Sequence, residues 1–399
     1  MISTAGSDRG KPGAENPIRV LVVDDSAFMQ RRLTEILHST PDLKVIACAA
    51  NGLDAISLSE RLRPDVITMD INMPKMDGLM AIGHLMRVAP RPIVVVSSYT
   101  RKCAQAAFQA LDLGAIDVVE KASDTGVSLD MERSAAELIR KVRQASRIRV
   151  VRSGGMPSAL PNKARTSAQA PTPRKDPPAN GAASQSAPAV IVIGSSTGGP
   201  AALRELFRAI PSADGPPIVV VQHLPANFTA ALAEQLADVS CIRVQEAVAG
   251  QTLQLGHAYI APGHSHIEID AHMRVVLNTD PPVKHCRPSV DVLFASVARQ
   301  CGATALAIVL TGMGDDGADG SLAMKRAGAC IIAQDEETSL VYGMPRAVVA
   351  AGAATRVLSL DQIKSVLVDV TLNKSGAAAA ISAASTAATI AAPSRVSLS

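Results

Sequence analysis

Aromatic residues are nearly missing from this chain: no Trp, three Tyr and five Phe among 399 residues. Base-stacking platforms and aromatic-lined sugar clefts both depend on ring faces, so neither is expected. Charge of one sign is also lacking. The 39 Lys and Arg stand against 36 Asp and Glu, a net +3 that leaves no electrostatic footprint for nucleic acid. The six cysteines (Cys48, Cys103, Cys241, Cys286, Cys301, Cys330) include no C-x-x-C pair. That spacing argues against a disulfide framework or a zinc site and for reduced thiols in cytosolic cores. The N-terminus has no apolar signal-peptide core, and no apolar run reaches the length of a membrane span. The expectation is a soluble cytoplasmic protein with no direct membrane insertion and no nucleic-acid partner.

What remains is 47% apolar and long enough for two or three domains. Composition divides it. Residues 1–17 read as a flexible arm, and 146–187 as a disordered Pro/Ala/Ser linker that cannot bury enough surface to fold. Residues 374–399 form a low-complexity tail without an apolar face. Two blocks, 18–145 and 188–373, share one grammar: short Val/Ile-rich runs alternating with amphipathic helical stretches. This predicts an α/β fold, with a parallel sheet in each block and helices on both faces. Runs at 19–23, 44–47, 66–69, 93–96 and 118–119 are the first block's strands. In the second, the clearest are 190–193, 218–221, 305–310 and 330–333. Sites in such folds lie outside the carboxyl ends of the strands.

In the first block those ends carry Asp24 and Asp25, Asp70, Ser97 with Ser98, and Lys121. Converging carboxylates repel one another and call for a cation, and oxygen ligands of this kind suit Mg²⁺. An ionised aspartate beside the metal is a nucleophile for a phosphoryl group, and a hydroxyl and an ammonium can bind its oxygens. Val-Val-Asp24-Asp25-Ser, Asp70-Ile-Asn72-Met-Pro74-x-Met-Asp77-Gly78, Val-Ser97-Ser and Glu-Lys121 resemble the receiver domain of two-component response regulators. The resemblance implies a flavodoxin-like (βα)5 fold with Asp70 as phosphoacceptor. It implies Asp25, Asp70 and the Asn72 backbone carbonyl as Mg²⁺ ligands, Asp24 as an indirect ligand, Ser97 as switch hydroxyl and Lys121 as phosphate contact. Ala122 replaces the family's cis proline. A cis bond before alanine would cost about 3 kcal/mol, so a trans loop with Lys121 displaced is expected. Val118 stands where the family carries its switch aromatic.

In the second block a buried run ends in Gly194-Ser195-Ser196-Thr197-Gly198, and a helical pattern follows at once. Strand, tight turn, serine and helix is the setting of a nucleophile, and a helix N-terminus offers free N–H groups to an anion. His223 directly follows the next strand, and Thr311-Gly-Met313-Gly-Asp315-Asp316-Gly317 follows a third. Ser, His and Asp thus converge in an order unlike Ser–Asp–His of α/β-hydrolases. Nucleotide binding by the two glycine-rich turns is the competing reading, disfavoured because no Lys follows either turn in Walker fashion. His257, His264, His266 and His272 crowd one segment, but no carboxylate or Cys stands at metal-ligand spacing.

Ile-Gly-x-Ser196-Thr-Gly-Gly, Gln-His223-x-Pro-x-x-Phe-Thr, Ile-Ala-Pro-Gly, Arg-Pro-Ser-Val-Asp-Val-Leu-Phe and Leu-Thr-Gly-Met-Gly-x-Asp316-Gly resemble the catalytic domain of chemotaxis protein-glutamate methylesterases. That family's order is receiver then esterase. The resemblance selects Ser196 over Ser195 and Asp316 over Asp315 for a Ser196–His223–Asp316 triad. It also implies the Met313 backbone N–H as oxyanion donor and a doubly wound, mostly parallel sheet with no esterase cofactor. The implied activity is hydrolysis of glutamate methyl esters on methyl-accepting chemotaxis receptors, with deamidation of receptor glutamines. Activation would come by phosphoryl transfer from a chemotaxis histidine kinase, with recruitment to receptor clusters.

Overall fold

The computed structural model describes residues 16–97, 101–121, 128–148, 189–212 and 214–372. The expected tail, the expected linker apart from residues 146–148, and nearly all of the expected arm therefore lie outside the described residues. The chain divides into two compact units, Met1–Val151 and Arg152–Ser399.

The first unit alternates strands and helices throughout: β1 (Ile18–Val23), α1 (Ala27–His38), β2 (Leu43–Ala49), α2 (Gly52–Leu62), β3 (Val66–Met69), α3 (Gly78–Val88), β4 (Ile93–Ser97), α4 (Arg101–Asp112), β5 (Asp117–Glu120) and α5 (Ser128–Ala145). The strands pair in the order β2-β1-β3-β4-β5, all parallel. This is the flavodoxin-like order, whose switch point lies between β1 and β3. Continuous apolar runs such as Ile93–Val96 suit strands covered on both faces. Val20, Val22, Leu37, Val94, Val119 and Leu138 are buried together in one of its cores. Each such side chain contributes about 1.5–3 kcal/mol by leaving water. Helices α1, α2 and α3 begin where Ser26, Asn51 and Asp77 accept backbone N–H groups of the first turn, the polar N-cap chemistry that stops a strand-end loop and starts a helix.

The second unit contains β6 (Val190–Ser195), α6 (Gly199–Ala209), β7 (Ile218–Gln222), α7 (Ala226–Val239), β8 (Arg243–Glu246), β9 (His257–Ile260), β10 (His266–Ile269) and β11 (Val275–Asn278). It continues with α8 (Val290–Gln300), a 3₁₀ turn, β12 (Ala305–Val309), α9 (Ala318–Arg326), β13 (Cys330–Gln334), α10 (Met344–Ala350), β14 (Arg356–Leu358) and α11 (Leu360–Thr371). Its main sheet runs β14-β13-β12-β6-β7-β9-β8, every neighbouring pair parallel. A separate antiparallel hairpin, β10–β11, breaks the βα alternation. The chain builds outward from β6 to one side, then returns to add β12 on the other. The switch point is therefore the carboxyl end of β6, flanked by those of β7 and β12.

Candidate active site

Strand β6 ends in Ser195, and the chain turns at once into α6. Gly198, at φ +80°, caps that helix in a left-handed conformation glycine adopts without strain. The turn is tied to both neighbours: the Ser196 N–H donates to the Thr311 carbonyl at 3.1 Å, and the His223 N–H to the Ser195 carbonyl at 3.1 Å. Gln222 acts as a clamp. Its Oε1 accepts from Ser195 Oγ at 2.7 Å, while its Nε2 donates to the carbonyls of Ser196 at 2.8 Å and His223 at 3.2 Å. The Ser195 hydroxyl is thus buried and committed to a structural bond, whereas Ser196 stands next to it at the turn. Gly312 lies directly against Ser196. A Cβ there would clash with the Sδ of the buried Met344 and sit 2.8 Å from Ser196 Cβ and 3.0 Å from Ser196 N, so both neighbours must give. Gly312→Ala is expected to shift the serine and cut kcat roughly a hundredfold while the protein stays folded, checked by steady-state kinetics alongside circular dichroism.

His223 follows β7, and its Nε2 lies 2.8 Å from Asp316 Oδ2. Asp316 is almost fully buried, and four groups hold it. Ser289 Oγ donates to Oδ1 at 2.7 Å, the Asp291 N–H to Oδ1 at 3.0 Å and the Val290 N–H to Oδ2 at 2.7 Å, with His223 completing the set. Three of these donors belong to the N-terminal turn and cap of α8, where backbone N–H groups lack intrahelical partners and the dipole favours an anion. Burial alone would raise the Asp316 pKa, but the bond and charge of His223 and these donors hold it low. Burial likewise opposes charge on His223, yet Cys286 and Asp316 outweigh it and raise the imidazole pKa. In the neutral ring, a proton on Nε2 bonded to Asp316 would leave the lone pair on Nδ1. Asp315 next door is exposed and pairs with Lys284 at 3.6 Å. Met313 is half-buried in the intervening turn.

In the first unit the ligand oxygens of Asp24, Asp25 and Asp70 lie within 4.8 Å of one another. Lys121 Nζ reaches into the group, 2.7 Å from both Asp24 Oδ2 and Asp70 Oδ2. The displacement expected from Ala122 does not occur: β5 pairs with β4, and the Lys121 N–H bonds to the Ser97 carbonyl at 2.8 Å, which delivers the ammonium to the cluster. Burial raises the Asp70 pKa, against the pull of Lys121. Burial works against the Lys121 charge, but the two aspartates prevail and raise its pKa. The Ser97 hydroxyl is buried without a hydrogen-bond partner among the described residues. Asn72 is exposed, and its side-chain amide donates to Cys103 Sγ at 3.4 Å. Val118 is a core residue of β5.

Two family models match the chain, the response regulator receiver domain over residues 20–131 and the CheB methylesterase over 191–367. A protein-glutamate methylesterase/protein-glutamine glutaminase of Xanthomonas oryzae pv. oryzae is 42% identical over 352 residues, covering 88% of this chain and 96% of its own. One of Burkholderia lata is 42% identical over 353 residues, covering 88% and 94%. The chain belongs to the CheB methylesterase family. It carries that family's esterase domain behind a response regulator receiver domain. The crystal structure of the Thermotoga maritima CheB methylesterase catalytic domain covers 46% of this chain and 98% of its own, at 38% identity and a TM-score of 0.45.

The residues singled out from sequence fall into two groups, one in each unit of this CheB-family chain. Those of the crowded histidine segment do not join a metal cluster among the described residues. His257 Nδ1 contacts the Leu255 carbonyl and His266 lies between the Pro281 carbonyl and the Ser289 N–H. Three contributors escaped sequence reading: Gln222, Ser289 and Cys286. Gln222 and Ser289 sit inside motifs that carry the family resemblance, so position was visible while role was not. The scattered spacing predicts Cys286 as a reduced core thiol, but its Sγ lies 3.8 Å from His223 Nδ1. Two of the other cysteines, Cys48 and Cys241, are exposed rather than in cores.

Proposed function

We propose that Ser196, His223 and Asp316 hydrolyse glutamate methyl esters on methyl-accepting chemotaxis receptors, and that a phosphoryl group on Asp70 switches this on. The observation that carries the reading is the meeting of three strand ends at one switch point, with His223 held by a buried, four-fold bonded carboxylate. His223 Nδ1 takes the Ser196 proton as Oγ attacks the ester carbonyl. The Met313 N–H and the α6 N-terminus stabilise the oxyanion; one such donor contributes about 3 kcal/mol. Collapse breaks the C–O bond, and methanol leaves with the proton from Nδ1. Water, deprotonated by the same nitrogen, then attacks the acyl-serine; the C–Oγ bond breaks, Ser196 Oγ takes the proton back from Nδ1, and the glutamate is freed. With a glutamine side chain the leaving group is ammonia, so one machinery serves deamidation too. Asp316 orients the imidazole and stabilises its cation. No metal takes part in these steps.

In the receiver, three carboxylates around a single ammonium leave an excess of anionic oxygen, the donor set that suits Mg²⁺. Asp25, Asp70 and the Asn72 backbone carbonyl would hold it, with Asp24 acting indirectly. When bound, the ion neutralises charge on the phosphoryl group in flight. The Asp70 carboxylate attacks the phosphorus of a chemotaxis histidine kinase's phosphohistidine, forming an acyl phosphate as the imidazole leaves. The unpartnered Ser97 hydroxyl then donates to a phosphoryl oxygen, and Lys121 pairs with another.

Unphosphorylated, the receiver restrains the esterase. A restrained state favoured by about 2–3 kcal/mol leaves roughly 1–3% of molecules active. Removing residues 1–187 is accordingly expected to raise basal methanol release by about thirtyfold or more. An unchanged or lower rate from a folded fragment would contradict restraint. Among the described residues no helix is long and apolar enough to cross a membrane. We place the enzyme in the cytoplasm, recruited to receptor clusters.

A further inference from the structure

The loop before α8 holds a thiol against the general base. Val283 and Cys286 exchange two backbone hydrogen bonds, at 3.1 and 2.8 Å, and Lys284 and His285 between them both have positive φ, 48° and 65°. This is the geometry of a type I′ hairpin turn, which is rare without glycine or asparagine. Lys284 pins it from outside: its Nζ lies 2.9 Å from Asp291 Oδ2 and 2.8 Å from Asp319 Oδ2, and it donates to the Asp315 carbonyl at 3.0 Å. The half-buried Cys286 Sγ is thereby fixed 3.8 Å from His223 Nδ1.

That separation has a chemical reading. A tetrahedral Zn²⁺ about 2.05 Å from an imidazole nitrogen and 2.3 Å from a thiolate sulfur holds the two donors about 3.6 Å apart. The other ring nitrogen, Nε2, already faces Asp316, which matches the carboxylate–histidine–metal arrangement that fixes the tautomer and aims the free lone pair at the ion. His223, Cys286 and Asp316 bring donor atoms within 4.8 Å of one another. Asp316 is saturated by its four bonds, which leaves it the orienting partner and His223 and Cys286 the ligands. Sulfur and nitrogen donors favour Zn²⁺ and other thiophilic cations over Mg²⁺, so the pair does not duplicate the all-oxygen cluster of the receiver.

We propose that His223 Nδ1 and Cys286 Sγ form an inhibitory site for Zn²⁺ or a similar thiophilic divalent cation, with water in the remaining positions. The ion occupies the lone pair that Ser196 needs. Binding stands on the geometry alone, while inhibition rests on the role proposed above for His223.

The test uses the full chain in two arms. In the first, Cd²⁺ alone is titrated and thiolate-to-metal charge transfer is followed in the ultraviolet. In the second, Zn²⁺ alone is titrated into the methanol-release assay and then removed with a chelator. Wild type is expected to show the band and reversible inhibition. Cys286→Ser and Cys286→Ala, which retain the other five cysteines, are expected to lose that band and to need at least tenfold more Zn²⁺ for half-inhibition. An unchanged band and unchanged inhibition in both folded variants would overturn the site. A band lost in the variants, with no Zn²⁺ inhibition in wild type, would keep the site and remove His223 from the role of base.

Discussion

Ser196→Ala is expected to lower methanol release from methylated receptor membranes by at least about a thousandfold, with the fold intact. Loss of a triad nucleophile elsewhere costs up to about a millionfold, the remainder being supplied by binding and the oxyanion hole. Ser195→Ala makes the informative contrast, because the two serines are neighbours with different surroundings. Ser195 Oγ donates to Gln222 Oε1 and lies fully buried. Its removal costs one hydrogen bond, about 1 kcal/mol of stability, and leaves an acceptor of Gln222 unpaired. Turnover should fall less than tenfold, because Gln222 still grips the Ser196 and His223 carbonyls. A Ser196→Ala enzyme with near-wild-type release, or a Ser195→Ala enzyme as dead as Ser196→Ala, would refute the assignment.

Asp70→Asn is expected to abolish phosphoryl incorporation altogether and, with it, stimulation by a phosphodonor. Asparagine matches the shape of aspartate but offers no anionic oxygen to attack phosphorus. It also leaves Lys121 facing Asp24 alone, 2.7 Å away, so the cluster keeps one ion pair and the fold survives. The basal rate should remain that of the unphosphorylated wild type. Radiolabelled phosphodonor followed by electrophoresis reads the loss, and retained stoichiometric labelling would sink the assignment.

Much of this arrangement is legible in the sequence because both parallel sheets are covered on two faces. Runs such as Val190–Ile193 and Ile218–Val221 are continuous and apolar, and the polar residue that ends each run marks the rim of the site. Short, half-exposed elements were not legible. Strand β8 (Arg243–Glu246) has no fully buried residue, and the hairpin β10–β11 interrupts the βα grammar. What holds Asp316 was equally invisible, since two of its donors are backbone N–H groups of α8 and carry no side-chain signature. The choice of Ser196 over Ser195 came from family resemblance. Its physical counterpart, the bond from Ser195 to Gln222, depends on a contact across 27 residues that no local pattern encodes. Ala122 does not displace Lys121, because strand pairing and two carboxylates set the ammonium's position more strongly than the residue after it.

A hydrolytic triad in one unit is proposed to answer to a phosphoacceptor in the other, so the decisive measurement reads both together. Methanol release from methylated receptor membranes should be followed for full-length wild type and Asp70→Asn, each with and without a small-molecule phosphodonor and Mg²⁺. Phosphorylation control predicts a rise of about thirtyfold or more in wild type, and in Asp70→Asn a low rate that does not respond. Equal stimulation of the two proteins, or none in wild type despite full phosphorylation, would contradict it.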